Sequence, residues 1–130
     1  MSNIRSRLLA AAETDGRIDR IEPHPRDPNF RRIIVSERAA AQLTSAEVDE
    51  LAIEAGQRWN ATLRRRVERT VARSVIQAKA MSMLGRRALS RAVLRDRLLG
   101  DAADAETVDT VLDDLADAGW LDDATLADAV

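Results

Sequence analysis

The segment from Asn60 to Leu84 constrains the fold most, because it predicts one long helix with two unlike faces. Asn60 can cap its start and Gly85 can end it. At about 1.5 Å per residue the helix is on the order of 36 Å long. One side is a largely apolar stripe, formed by Leu63, Val67, Val71, Ser74, Val75 and Ala78. The opposite side is basic, formed by Arg65, Arg66, Arg69 and Arg73.

Capping residues and glycines predict four more helices around this one. Thr44-Ser-Ala-Glu47 has the capping-box spacing. An apolar face follows it, formed by Val48, Leu51, Ala52 and Ala55. A second apolar face has the i, i+3, i+4, i+7 spacing of an amphipathic helix, formed by Val108, Val111, Leu112 and Leu115. The predicted helices begin at the caps Thr44, Ser90, Asp104 and Asp122, and they end at Gly56, Gly100, Gly119 and Val130.

Residues 1–43 predict a small β-hairpin instead. Three prolines stand within residues 23–28, and proline interrupts both a helix and a central strand. Apolar runs on either side predict strands at 17–22 and 30–36, joined by a Pro-rich loop. The conformation of residues 1–15 and 37–43 stays open, since Ala39–Leu43 fits a helix by composition and a third strand by position. We therefore predict a mainly α fold, with a tail and hairpin region at 1–43 and a helical region at 44–130.

Charge is strongly segregated along the chain. Residues 58–97 contain eleven arginines and Lys79 against only Glu68 and Asp96, whereas residues 98–130 contain ten carboxylates and no basic residue. Clustered arginine attracts phosphates or acidic proteins whatever the overall charge. The candidate binding residues are Arg64, Arg65, Arg66, Arg69, Arg73, Arg86, Arg87, Arg91 and Arg95. The simpler interpretation, which stays open, is a solvated face paired with the acidic helix.

Catalytic and metal chemistry have little support in the sequence. His24 is the only histidine and stands between two prolines, and the chain has no cysteine. Asp113, Asp114 and Asp117, like Asp122 and Asp123, are better explained as helix caps and a solvated face than as a cation site. No Gly-rich phosphate loop occurs. We predict no enzymatic activity, no cofactor and no metal.

No apolar run approaches the length of a membrane span, and residues 1–12 carry no convincing cleavage site. The sequence therefore predicts a cytoplasmic protein without a membrane partner.

Several short motifs occur in a characteristic order, beginning with Gly16-Arg-Ile-Asp-Arg-Ile-Glu-Pro23 and Ala55-Gly56-Gln-Arg-Trp59. These two segments resemble the N-terminal hairpin and the start of the long helix in the RecX family of regulatory proteins. Residues of about 72–130 resemble its first three-helix repeat, with the motif residues Leu84, Arg87, Ser90, Leu94, Gly119, Leu121, Asp122 and Asp123. The resemblance spans roughly residues 16–130.

Two departures from the family pattern stand out. Val93 occupies a position where the family usually has glutamate. The family also carries three tandem three-helix repeats, whereas this sequence stops near the end of the first. Two interpretations stay open, a fragment of a longer protein and a short member of the family.

The resemblance implies binding rather than catalysis. RecX proteins modulate the RecA recombinase: they lodge in the groove of the RecA–DNA filament, limit its growth, and inhibit strand exchange and LexA coprotease activity. The expected protein is a monomeric negative modulator of RecA in DNA recombination, DNA repair and the SOS response, with the RecA filament as partner and single- or double-stranded DNA as a further candidate.

Two alternatives remain beside RecA modulation. A nonspecific nucleic-acid-binding helical module would bind naked DNA or RNA with steep salt dependence, although the acidic residues of 101–128 oppose it by repulsion. A structural helical adaptor would instead pair its arginines with Asp109, Asp113 and Asp117 inside the fold.

Overall fold

A computed structural model describes residues 7–100 and 104–121 of the chain. A short 3₁₀ helix (Ala10–Glu13) precedes strands β1 (Gly16–Pro23), β2 (Phe30–Val35) and β3 (Arg38–Thr44), helix α1 (Ser45–Leu51), strand β4 (Arg58–Trp59), and helices α2 (Ala61–Arg86), α3 (Arg91–Leu99) and α4 (Ala105–Asp117). The chain divides into two compact units, Met1–Val71 and Ala72–Val130. The boundary falls inside α2, so this helix contributes to both units.

The first unit is organised around a four-stranded antiparallel sheet with strand order β3-β2-β1-β4. The register places Ile21 opposite Ile33 and Phe30 opposite Thr44. β2 and β3 are joined by the two-residue turn Ser36–Glu37, in which both residues have positive φ. Such a turn matches the twist of the strands that it connects.

The prediction of a mainly α fold with a three-helix repeat is wrong, because the protein has a mixed α/β fold. Residues 38–44 form a third strand, and Arg58–Trp59 form a fourth. Ala40, Ala41 and Leu43 are fully buried on β3. Pairing with β2 supplies hydrogen bonds and burial that outweigh the helical preference of alanine. The predicted hairpin is thus only the middle of a larger sheet.

Four of the predicted helix caps, at Thr44, Asn60, Ser90 and Asp104, are confirmed, and the fifth, at Asp122, lies outside the described residues. Thr44 and Glu47 form a reciprocal capping box at the start of α1. Asn60 Oδ1 accepts a hydrogen bond from Leu63 N at 3.0 Å. Ser90 Oγ accepts one from Val93 N at 3.2 Å, and Asp104 Oδ1 accepts one from Thr107 N at 3.1 Å. Each contact satisfies a backbone donor that the first helical turn leaves without a partner.

Helix α1 is shorter than predicted. It ends at Leu51, and Ala52 takes the left-handed conformation, with φ 52°. Ile53 is buried instead of Ala52 and Ala55, which are exposed. Gly56, the predicted end of the helix, has φ 89° in the turn before β4. The glycine therefore serves the turn rather than the helix end.

The apolar stripe of α2 is buried as predicted only in its first part. Leu63, Val67 and Val71 are buried. Further along, the buried residues are Ile76 and Ala80, whereas Val75 is half-buried and Ala78 is exposed. Beyond Val71 the helix therefore follows the packing of the second unit instead of one continuous stripe.

The second unit has an aliphatic core, as its lack of phenylalanine and tyrosine requires. Ile76 and Ala80 of α2 join Leu89 and Leu121 in this core. α3 and α4 complete it with Leu94, Leu98, Val108, Val111, Leu112 and Leu115. The predicted final helix, from Asp122 to Val130, lies outside the described residues.

None of the helices in the described part of the chain combines the length and the apolar character that a membrane span needs. Within the same residues, no group of three or more His, Cys, Asp or Glu side chains could hold a metal ion.

Candidate interaction surface

Two arginines of α2 in the first unit form a candidate contact surface. Arg65 and Arg69 are exposed, and neither side chain makes a hydrogen bond or ion pair with another described residue. They are four positions apart, so they lie on one face of the helix with their Cβ atoms about 6 Å apart. We call them the α2 arginine pair. Leu63 and Val67, buried beside them, fix the helix so that these side chains face solvent.

Two neighbouring arginines are held within the first unit. Arg64 Nη1 donates to Ala12 O at 3.1 Å, and Arg64 Nε lies 3.9 Å from Glu68 Oε1. Arg66 Nη2 makes a long hydrogen bond to Leu51 O at 3.5 Å. Both were candidate binding residues, and both use guanidinium donors in hydrogen bonds to backbone carbonyl oxygens of the first unit. Arg64 in particular helps to tie α2 to the 3₁₀ helix.

In the second unit, two exposed arginines lie at the end of α2 and directly after it. Arg86 and Arg87 are exposed, and their side chains make no hydrogen bond or ion pair within residues 7–100 and 104–121. Arg73 is half-buried and already engaged by another group. Among the candidate binding residues, exposed arginines without a polar partner in the described part of the chain therefore occur at two places, at the α2 arginine pair and at Arg86 and Arg87, where α2 ends.

Two arginines of α3, Arg91 and Arg95, pair with the acidic helix. Arg91 Nη2 lies 2.6 Å from Asp113 Oδ1. Arg95 donates from Nε and Nη2 to the two oxygens of Asp109, at 2.7 and 3.4 Å. This two-pronged hydrogen bond raises the pKa of Arg95 and lowers the pKa of Asp109. The adaptor hypothesis predicted contacts of this kind. Asp117, its third predicted partner, is exposed and forms no ion pair with the described residues.

The motif residues are mostly structural. Leu94 and Leu121 are buried, Ser90 caps α3, and Leu84 is half-buried. Gly119 has φ 84°, a conformation that glycine adopts without strain. Arg87 is the one member of the set, within the described residues, that exposes an unused charged side chain. Asp122 and Asp123 lie outside those residues.

The fold has a counterpart among solved structures. It is similar to the crystal structure of regulatory protein RecX. The TM-score is 0.71 at 14% sequence identity, and the similarity covers 85% of this chain and 54% of the RecX chain. This chain thus spans about half the length of that protein. No protein-family model matches the sequence, and no curated protein matches it. The predicted resemblance to RecX is therefore confirmed for the fold.

One pocket of the first unit lies outside the predicted surface. It is lined by Asp15, Gly16, Arg17 and Arg58. Arg17 is isolated from the basic block in sequence, and Arg58 is only its first residue. Their proximity depends on the pairing of β1 with the two-residue β4, which carries no strand signal of its own.

Proposed function

We propose that this protein is a RecX-like modulator of RecA, which binds the RecA–DNA filament and limits recombinase and coprotease activity. The observation that carries the proposal is the similarity of fold to regulatory protein RecX over 85% of this chain. The sequence motifs that resemble RecX point to the same family. Such a role would place the protein in DNA recombination, DNA repair and the SOS response.

The α2 arginine pair is the proposed contact surface in the first unit. Both residues are exposed and their side chains make no hydrogen bond or ion pair with another described residue, so their donors are available to a partner. Each planar fork can bind a carboxylate or a phosphate oxygen pair through two hydrogen bonds. Arg91 and Arg95 are removed from the proposed surface, because Asp113 and Asp109 already hold them. Arg86 and Arg87 remain a second proposed contact, in the other unit.

The test is binding to preassembled RecA filaments on single-stranded DNA, with strand exchange and LexA cleavage as activity readouts. Arg65→Gln with Arg69→Gln is expected to weaken filament binding about tenfold, since each arginine contributes charge-assisted hydrogen bonds. Arg26→Gln with Arg38→Gln is the matched control, because both residues are exposed in the same unit and the charge change is identical. Arg86→Gln with Arg87→Gln tests the second contact.

Failure of the unmodified protein to bind RecA filaments would refute the proposed function. Equal weakening by the α2 variant and its control would leave the function standing and refute the surface. Binding to naked DNA or RNA that is as tight as binding to the filament, with a steep dependence on salt, would favour the nonspecific nucleic-acid-binding module instead. The exposed arginines are the feature that favours this second candidate.

A further inference from the structure

A second pair of arginines lies at the edge of the sheet in the first unit. Arg17 on β1 and Arg58 on β4 are directly opposite each other in the antiparallel register. Opposed residues project from the same face of a sheet, with Cβ atoms about 5 Å apart. Their chain neighbours Ile18 and Trp59 are buried. Burial of these neighbours holds the two arginines, the strand arginine pair, on the solvent side.

The charge of the strand arginine pair is not neutralised within the described residues. Neither side chain forms an ion pair there, and Arg17 Nη1 donates one hydrogen bond to Gly56 O at 3.2 Å. Like charges placed directly opposite on neighbouring strands destabilise a sheet. Between β1 and β2, by contrast, opposite charges face each other. Glu22 lies opposite Arg32, and Glu22 Oε1 is 3.8 Å from Arg32 Nε. Among the described residues, the strand arginine pair therefore has no ion-pair partner of the kind that Glu22 provides further along β1.

The two arginines share a pocket with Asp15 and Gly16. We propose that this pocket binds a phosphate group, held between the guanidinium forks of Arg17 and Arg58. A phosphate between the forks would supply the missing negative charge and accept hydrogen bonds from both arginines. Asp15 also lines the pocket, and its negative charge opposes an anion, so it limits the affinity of the site.

The same chemistry suits free phosphate and the phosphodiester of a nucleic-acid backbone. The site shares no residue and no secondary-structure element with the α2 arginine pair. It therefore goes beyond the proposed contact with RecA and does not depend on it.

The experiment titrates the whole chain with sodium phosphate against sodium chloride at equal ionic strength, because plain screening also relieves repulsion between like charges. Thermal unfolding and calorimetry measure the binding of inorganic phosphate. Fluorescence anisotropy measures the binding of a short labelled oligothymidylate. Arg17→Gln with Arg58→Gln is the test variant, and Arg26→Gln with Arg38→Gln is the control of equal charge. Asp15→Asn is a third variant, which removes the opposing carboxylate.

We expect the unmodified protein and the control to bind phosphate, and the test variant to lose about tenfold or more in affinity. Asp15→Asn should strengthen binding. If the test variant loses affinity for inorganic phosphate, free phosphate is identified as the ligand. If it loses affinity for the oligothymidylate alone, the phosphodiester is identified. If neither probe distinguishes the test variant from its control, or if Asp15→Asn weakens binding, the proposal is overturned.

Discussion

Arg7 and Glu47 form a buried ion pair that joins residues 40 positions apart in the first unit. Arg7 is only 4% exposed. Its Nε donates to Gln42 O at 2.7 Å, and its guanidinium carbon lies 4.9 Å from the centre of the Phe30 ring. Glu47 Oε1 also accepts a hydrogen bond from Thr44 N at 2.8 Å. The pair thus connects the N-terminal segment, the sheet and the cap of α1.

The first prediction concerns the loss of either partner of this ion pair. Glu47→Gln keeps an acceptor for Thr44 N but leaves Arg7 without a counter-charge, and Arg7→Met leaves the carboxylate buried. Each is expected to lower the free energy of unfolding by about 3 kcal/mol. The double variant should cost less than the sum, by about 1 kcal/mol or more. Urea unfolding measures all three, with exposed Asp49→Asn as control. Strictly additive costs would show that the two groups are not coupled.

The second prediction concerns the turn between β2 and β3. Ser36 and Glu37 have φ 51° and 67°, and Glu37 N donates to Asp19 Oδ2 at 2.7 Å. A side chain in this conformation is strained by about 1 kcal/mol relative to glycine. Glu37→Gly should therefore raise the free energy of unfolding by about that amount. Both substitutions remove the exposed ion pair between Glu37 Oε2 and Arg20 Nη1, 3.6 Å apart, but Glu37→Ala keeps the strain, so no gain is expected from it. A stabilising Glu37→Ala would contradict the explanation.

This turn also shows why the sheet could be predicted only in part. Asn-Gly or Asp-Gly marks a two-residue hairpin, whereas Ser36-Glu37 carries no such signal. The turn is stabilised from a distance by Asp19, and that contact exists only after β1 has paired. The helix caps were predictable because each joins residues three positions apart. β3 pairs with the adjacent β2 through this unmarked turn, whereas β4 pairs with the distant β1, which local composition does not encode.

The sequence also predicted the exposed arginines only in part. The 100° periodicity placed Arg65 and Arg69 away from the apolar stripe, and the structure leaves both exposed. Arg91 and Arg95 look alike in sequence, yet they face Asp113 and Asp109 across the packed α3 and α4. Pairing of arginines with Asp109, Asp113 and Asp117 was one of several hypotheses that the sequence left open. Tertiary packing was needed to separate the arginines used in the fold from those left free.

The third prediction is a pH dependence from Arg95 and Asp109. Because Arg95 holds the pKa of Asp109 below its ordinary value of 3.8, the pair stabilises the native state above that pH. The contribution is lost as the pH falls through the lower, native-state pKa. The Asp109→Asn variant lacks the contribution of this ion pair. It should therefore be less stable than the unmodified protein near neutral pH, and the difference should vanish in acid. Thermal unfolding at a series of pH values measures this difference.

Asp114→Asn is the matched control for that experiment. Asp114 is exposed on the same helix, and its side chain forms no ion pair with a described residue. Its replacement should give no loss of stability that disappears in acid. Added salt should reduce the effect of Asp109→Asn, since both partners are solvated. A stability difference that persists unchanged through acid pH would count against the ion pair as its source.

The fourth prediction uses the two tryptophans, of which each unit contains one. Trp59 is fully buried and donates from Nε1 to Ala12 O at 2.9 Å, whereas Trp120 is 59% exposed. Trp120→Phe should leave a blue-shifted emission that acrylamide quenches poorly, and Trp59→Phe should leave a red-shifted, readily quenched one. Trp59→Phe should also cost about 1–2 kcal/mol, a modest loss because Arg64 still donates to Ala12 O. Trp120→Phe should leave stability nearly unchanged because the Trp120 ring faces solvent. Equal quenching of the two variants would contradict the burial of Trp59.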